Sequence, residues 1–404
     1  MQELIINEKQ DKRIIAFIQD GKLIEKYEQN NRIKRLEGNI YVGKVRNILP
    51  GMQAAFVDIG ETKNAFIHLK DILPKKDIVK DSENQNEEMV KDIKQVIRVG
   101  MPILVEVKKD SNDKKGARVS THLSLVSRYL VLMPNTNIIT ISQKIEEKEE
   151  IERLKKIIEK YLPNHMGVII RTSCRGKREE EILKDLQLLE KRWNYIQKEF
   201  ELTDSYPKLI EKNDDILKKL IMDTMDHGIE RITTNTKESY QEIEKDLEEL
   251  GQNVSITLEL KEEDLLQRYD LADQLEKACN RKVWLNCGGF ITIDKTEALT
   301  AIDVNSAKYT GKQDVGETIL KVNKEASKEI AKQLRLRDIG GIIIIDYIDM
   351  KSEEDRKIII EELEEYLKQD RSKTQILGFT KLNLLEMTRK HICSNYQIEK
   401  GEEE

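Results

Sequence analysis

Two stretches, GGFITIDKTEALTAIDVNS (288–306) and IGGIIIIDYIDM (339–350), decide the architecture of this chain. In FITIDKT and ALTAIDVNS apolar and polar residues alternate, the period-two pattern of strands with one wet face. Asp303 and Asn305 therefore share a face, and Ile302 and Val304 take the other. The segment from about Val315 to Arg337 has its apolar residues at helical spacing, and the run Ile342 to Ile345 reads as a buried strand. Strand, helix and strand in that order predict a βαβ crossover with Asp346 at the end of its second strand. Ligand sites of open α/β sheets lie at strand ends, so Asp303, Asn305 and Asp346 form the candidate catalytic site.

Two carboxylates brought together repel and raise one another's pKa unless a cation lies between them. Magnesium prefers one or two carboxylates, with waters and substrate phosphate completing its shell, which makes Asp303 and Asp346 candidate metal ligands for phosphodiester hydrolysis. Asn305 adds an amide that can orient a phosphate or water without adding charge. Spacing alone fits aspartates that cap strands in turns equally well. Asp294, Glu297 and Asp349 read as solvated turn residues or outer support.

Outward from this region the pattern changes. LIIN, RIIAFIQ and KLIEKYEQ, with a turn at Gly21, predict three short strands at the amino terminus, too few to stand alone. IYVGKVRNIL, AAFVDIG, NAFIHL and ILVEVKKD are short, evenly spaced and punctuated by glycine, as in a small closed β-barrel, with the charged residues 74 to 95 as a loop insertion. After SLVSRYLVLMP come helices at 145 to 161 and 178 to 200 around the strand MGVIIRTS, and then a helix at 207 to 227. Weak strands at GIERITT and NVSITLEL could complete the amino-terminal sheet.

Composition narrows the class. Charged residues make up 36% of the 404, but with 69 basic and 75 acidic the net charge of -6 gives no global basic signature, so a nucleic-acid site must come from local clusters. Cys174, Cys279, Cys287 and Cys393 form no CxxC pair, which fits a reducing cytoplasm better than a disulfide framework. No signal peptide and no apolar run of about 18 residues is present, so no membrane span is expected.

Residues 288 to 312 and 317 to 350 closely resemble the deoxyribonuclease-I-like catalytic subdomain of the ribonuclease E/G family. The resemblance implies that Asp303 and Asp346 bind the catalytic Mg2+ and that Asn305 assists. GNIYVGKVRNILPGMQAAFVDIGETKNAFIHLKDI (38–72) resembles the family's S1-type OB barrel, with Phe56, Phe66 and Lys115 matching its RNA contacts; read without the resemblance, phenylalanine in a barrel is more often core. MGVIIRTSCRGK (166–177) resembles its sensor for a 5′ monophosphate, where Arg171 and Thr172 would hold the phosphate beside Val131. Two positions depart from that pattern: Ser127 stands where a small glycine is usual, and Lys373 replaces an arginine.

The implied fold is a multi-subdomain α/β chain. An RNase H-like subdomain (1–37 and 215–280) carries the inserted S1-type OB barrel (38–121) and the 5′ sensor (122–214). The DNase-I-like catalytic subdomain (281–392) and a charged tail (393–404) follow. After LLEMTRK the family usually continues into a CPxC-type motif that shares zinc between subunits; Cys393 alone cannot make a tetrahedral site, so structural zinc is not expected and a homo-oligomer would need another seam. The implied function is a magnesium-dependent endoribonuclease acting on single-stranded RNA, in ribosomal RNA processing or messenger RNA decay. The alternative is a catalytically weak RNA-binding protein of the same family.

Overall fold

The computed structural model describes residues 1–30, 35–72, 92–111, 115–213, 216–225, 228–249, 256–306, 315–350 and 352–392. Most of the expected loop insertion and the whole charged tail, Cys393 included, lie outside the described residues. The chain divides into two compact units, Ile33–Asp215 and Met1–Arg32 with Ile216–Glu404.

Three antiparallel strands open the chain, β1 (Gln2–Lys9), β2 (Lys12–Gln19) and β3 (Lys22–Asn30). A barrel follows: β4 (Ile40–Leu49), β5 (Ala54–Asp58), β6 (Ala65–His68), β7 (Pro102–Lys109) and β8 (Arg118–Ser120). The order is β4-β5-β6-β8-β7, and β7 pairs back onto β4, so these five strands close on themselves. Small and branched residues at alternate positions fill the inside, among them Val45, Ala55, Val57, Ala65, Ile67, Val105 and Val119.

Beyond the barrel come β9 (Leu125–Val126), β10 (Leu130–Pro134), β11 (Ile139–Ile141), α1 (Lys148–Tyr161), β12 (Met166–Ile170) and α2 (Glu179–Leu202). The sheet β11-β12-β10-β9 packs Leu130, Leu132, Val168 and Ile170 against Leu154 and Ile158 of α1 and Ile182, Leu186 and Leu189 of α2. The helix expected from 207 does not begin there. Instead β13 (Lys208–Glu211) pairs antiparallel with β4, and α3 (Ile216–Met225) starts later. The difference is tertiary: Lys208, Leu209 and Glu211 pair with Val42, Tyr41 and Ile40 of β4, a demand that helical spacing within the segment does not show.

Next are β14 (Arg231–Thr234), α4 (Lys237–Glu249) and β15 (Thr257–Leu260). β14 pairs parallel with β1, and β15 with β14, giving the order β15-β14-β1-β2-β3. Strands distant in sequence thus complete the amino-terminal sheet, and α4, absent from the sequence expectation, supplies the crossover that parallel strands require. Two short helices, α5 (Leu265–Arg268) and α6 (Ala272–Lys277), follow.

The last sheet contains β16 (Lys282–Trp284), β17 (Phe290–Lys295), β18 (Leu299–Asn305), β19 (Gly341–Asp346), β20 (Thr374–Phe379) and β21 (Leu384–Arg389). Its order is β16-β17-β18-β19-β21-β20; only β18 and β19 run parallel, joined by α7 (Val315–Leu336). With α8 (Glu353–Leu367), α7 covers one face: Val322, Ala326, Ile330, Ile359 and Leu363 pack on Ile291, Ile302, Val304, Ile343 and Ile345. On the other face Phe290, Thr292, Ala301, Asp303, Asn305, Ile342, Ile344 and Asp346 are all at least partly exposed. The reading of β19 as a strand buried on both sides is therefore corrected. Both helices lie on one side, and Ile342 on the other is 51% exposed. Among the described residues no helix is long and apolar enough to cross a membrane.

Candidate active site and nucleic-acid interface

Asp303 and Asp346 are register partners across the parallel pair β18 and β19, so both project from the open face one strand spacing apart, about 4.8 Å. Asn305 lies two residues further along β18, and its amide donates to Asp303 Oδ2 at 2.5 Å. That bond orients Asp303 rather than leaving the amide aimed at solvent. Partial burial raises the pKa of Asp346 from the ordinary aspartate value, and the charges of Asp303 and Asp349 raise it further. Asp294 is drawn away by a two-point ion pair with Arg281, and Glu297 is exposed.

These donors fit a magnesium ion. Two neighbouring carboxylates on a wet face leave room for waters and a phosphate oxygen, and a cation between them would relieve the repulsion that raises Asp346. Among the described residues no group of three or more His, Cys, Asp or Glu side chains could hold a metal.

The loop after β19 is pinned from the crossover helix. Asn323 of α7, fully buried, donates its amide to the Ile348 carbonyl at 2.8 Å and accepts from the Ile348 amide at 3.1 Å. Beside it the Tyr347 hydroxyl meets Ser327 Oγ at 2.7 Å inside the core. Sequence reading passed over Asn323, although a polar residue on the apolar stripe Val322, Ala326, Ile330 is the signal that would have found it.

In the barrel Phe56 and Phe66 face each other across β5 and β6, with ring centroids 6.2 Å apart and edge to face. Both are half-buried and stand outside the barrel core, because Ala55, Val57, Ala65 and Ile67 occupy the inward positions. Lys115 is exposed in the turn before β8, and Arg118, beside Phe66 in the parallel pair of β6 and β8, is held by Asp71. Gly116 lets this turn approach closely: a Cβ there would sit 2.1 Å from the Asn64 carbonyl oxygen.

The phosphate-sensor candidates Val131, Arg171 and Thr172 come together around one sheet. Val131 on β10 opposes Ile169 on β12, and Arg171 and Thr172 follow the end of β12. Arg171 donates to the Ser127 carbonyl at 2.7 Å, and Thr172 shares a hydrogen bond with Ser142 at 2.8 Å. Ser127, the departure from glycine, has a use of its own: its hydroxyl donates to buried Asp185 of α2 at 2.6 Å, and the same carboxylate accepts from the Tyr129 and Leu130 amides. Asp185, on the apolar stripe Ile182, Leu186, Leu189, was also missed; burial raises its pKa despite these donors. Lys373 is not part of this sheet. It belongs to the other unit, just before β20, where its carbonyl accepts from the Lys390 amide.

The chain thus belongs to the class of multi-part α/β proteins that join a closed five-strand barrel with aromatic rings outside to an open sheet carrying a carboxylate pair. Comparison with known proteins agrees. Residues 35–122 match the S1 RNA binding domain, and residues 124–392 match the ribonuclease E/G family. The chain is 38% identical over 394 residues to ribonuclease G of Salmonella typhimurium strain SL1344 and 37% identical over 390 residues to ribonuclease G of Escherichia coli K12, in each case 96% of this chain and 79% of the relative. It is 36% identical over 364 residues to ribonuclease E of a Synechocystis species, covering 89% of this chain and 52% of that protein. The chain belongs to the ribonuclease E/G family.

Proposed function

We propose that this protein is an endoribonuclease that hydrolyses phosphodiester bonds of single-stranded RNA at Asp303 and Asp346. The observation that carries the reading is their direct pairing across β18 and β19 on an open sheet face, in a chain of the ribonuclease E/G family. The two aspartates would hold a magnesium ion, which when bound positions a water and offsets charge on the phosphate. Asn305 would hold the Asp303 carboxylate in place through its amide. Phe56 and Phe66 offer stacking edges for unpaired bases and Lys115 a charge for the backbone, the combination by which OB barrels take single strands. Arg171 and Thr172, beside Val131, would receive a 5′ monophosphate. Its RNase H-like and DNase-I-like subdomain organisation, and a cytoplasmic role in ribosomal RNA processing or messenger RNA decay, belong to the same proposal.

The test is incubation of the purified chain with a 5′-monophosphorylated single-stranded RNA rich in adenine and uracil, in magnesium or in EDTA. Cleavage should require magnesium and disappear in Asp303→Asn and in Asp346→Asn, with RNA affinity at fixed salt nearly unchanged. Full turnover by either variant would remove this site, and binding without cutting by the unmodified chain would make it an RNA-binding protein.

A further inference from the structure

Beside the carboxylates, the same open face carries an aromatic cluster that the proposed reaction does not use. Trp284 on β16 is the register partner of Phe290 on β17, which is in turn the partner of Asn305 on β18. The adjacent row runs Lys282, Thr292, Asp303, Asp346. Directly opposed residues project to the same side of a sheet, so the two rings stand about 10 Å from the Asp303 strand or nearer, on its own face. Trp284 is 62% exposed and meets Phe290 edge to face at 5.4 Å. The Lys282 ammonium lies 4.1 Å from the Trp284 ring centroid and 3.6 Å from that of Phe290.

Phe290 and Lys282 hold the indole in place while its surface stays wet. A rigid, open π-surface with a cation on it, next to carboxylates that would hold a metal, suits a polymer that alternates flat rings with anionic phosphates. A protein seam fits less well, because it would bury Asp303 and Asp346 together with Lys282. We propose that Lys282, Trp284 and Phe290 form a nucleobase subsite that holds an unpaired RNA base flanking the phosphodiester presented to Asp303 and Asp346. This rests on the endoribonuclease reading above. Trp284 and Phe290 supply the stack, and Lys282 serves the adjoining phosphate.

The chain contains two tryptophans, and Trp193 is buried at 4% exposure, so a change in emission on adding RNA reports Trp284. The full chain carrying Asp303→Asn, titrated with a short single-stranded RNA of adenine and uracil, should show saturable quenching that Trp284→Phe removes. In the active protein Trp284→Ala should lower kcat/KM by about 5- to 150-fold, the range for one lost base stack, and Trp284→Phe should restore most of it. An abasic nucleotide beside the cleaved bond should cost the unmodified enzyme a similar factor and Trp284→Ala nothing further. Unquenched emission, or losses that simply multiply, while Asp303-dependent cleavage persists, would overturn the subsite and leave the endoribonuclease reading standing. A shift in oligomeric state caused by Trp284→Ala would assign the patch to a second copy of the chain and also overturn it. Absence of cleavage by the unmodified protein would instead sink the reading on which the subsite rests.

Discussion

Asn323 satisfies both backbone groups of Ile348 from inside the core, two residues beyond Asp346. A helix that connects the two carboxylate strands therefore also fixes the exit of the second one. Asn323→Leu keeps the branched shape, adds bulk, and leaves the Ile348 amide and carbonyl without their partner, at a cost of about 1 to 3 kcal/mol each when no water replaces it. We expect a clear fall in Tm and a loss of kcat larger than the loss of RNA affinity. Unchanged turnover in a variant of lowered Tm would reduce Asn323 to a structural role.

The Asp303 and Asp346 pair predicts a pH and metal signature. For a carboxyl whose folded pKa is raised, its favourable contribution is present below the unfolded value and is lost as pH rises through the folded one. In EDTA, Asp346→Asn should therefore have a higher Tm than the unmodified chain at neutral pH, with the difference closing in acid. Added magnesium should raise the Tm of the unmodified chain alone, because binding stabilises only a state that has the site. Thermal unfolding across pH, with and without metal, measures both effects.

Phe56 and Phe66 lie outside the barrel core, which separates binding from stability. Replacing either by alanine should weaken single-strand RNA binding by about 1 to 3 kcal/mol if its ring stacks on a base. Tm should move little. A core phenylalanine would instead cost about 3 to 5 kcal/mol of folding stability, so calorimetry beside a binding isotherm distinguishes the roles.

Arg171 is tied to the Ser127 carbonyl in a loop that Asp185 also holds. If it grips a terminal phosphate, cleavage below saturation should be faster on 5′-monophosphorylated than on 5′-hydroxyl RNA. Arg171→Ala should erase that difference and leave the hydroxyl substrate alone, since the guanidinium acts only where there is a phosphate to pair with. Equal rates on the two RNAs by the unmodified enzyme would leave the pocket without a sensing role.

Local chemistry in the sequence was enough for several elements. The alternation in ALTAIDVNS sets which face Asp303 and Asn305 share, the spaced apolar residues of α7 make a crossover, and the glycine-punctuated strands 40 to 110 make a barrel, because each pattern depends on neighbours within a turn or a strand. Other features had no local determinant. Pairing of β14 with β1 and the Asp303 to Asp346 register arise from strand order, which joins residues far apart in the chain. The run Ile342 to Ile345 looks the same whether one face or two are covered, and only the placement of α7 and α8 on a single side decided that Asp346 stays on an open surface. Asp185 and Asn323 were written on apolar stripes as lone polar residues. What they hold, the backbone at Tyr129 and at Ile348, is chosen by tertiary packing, because a buried polar group must find its partner wherever the fold brings one.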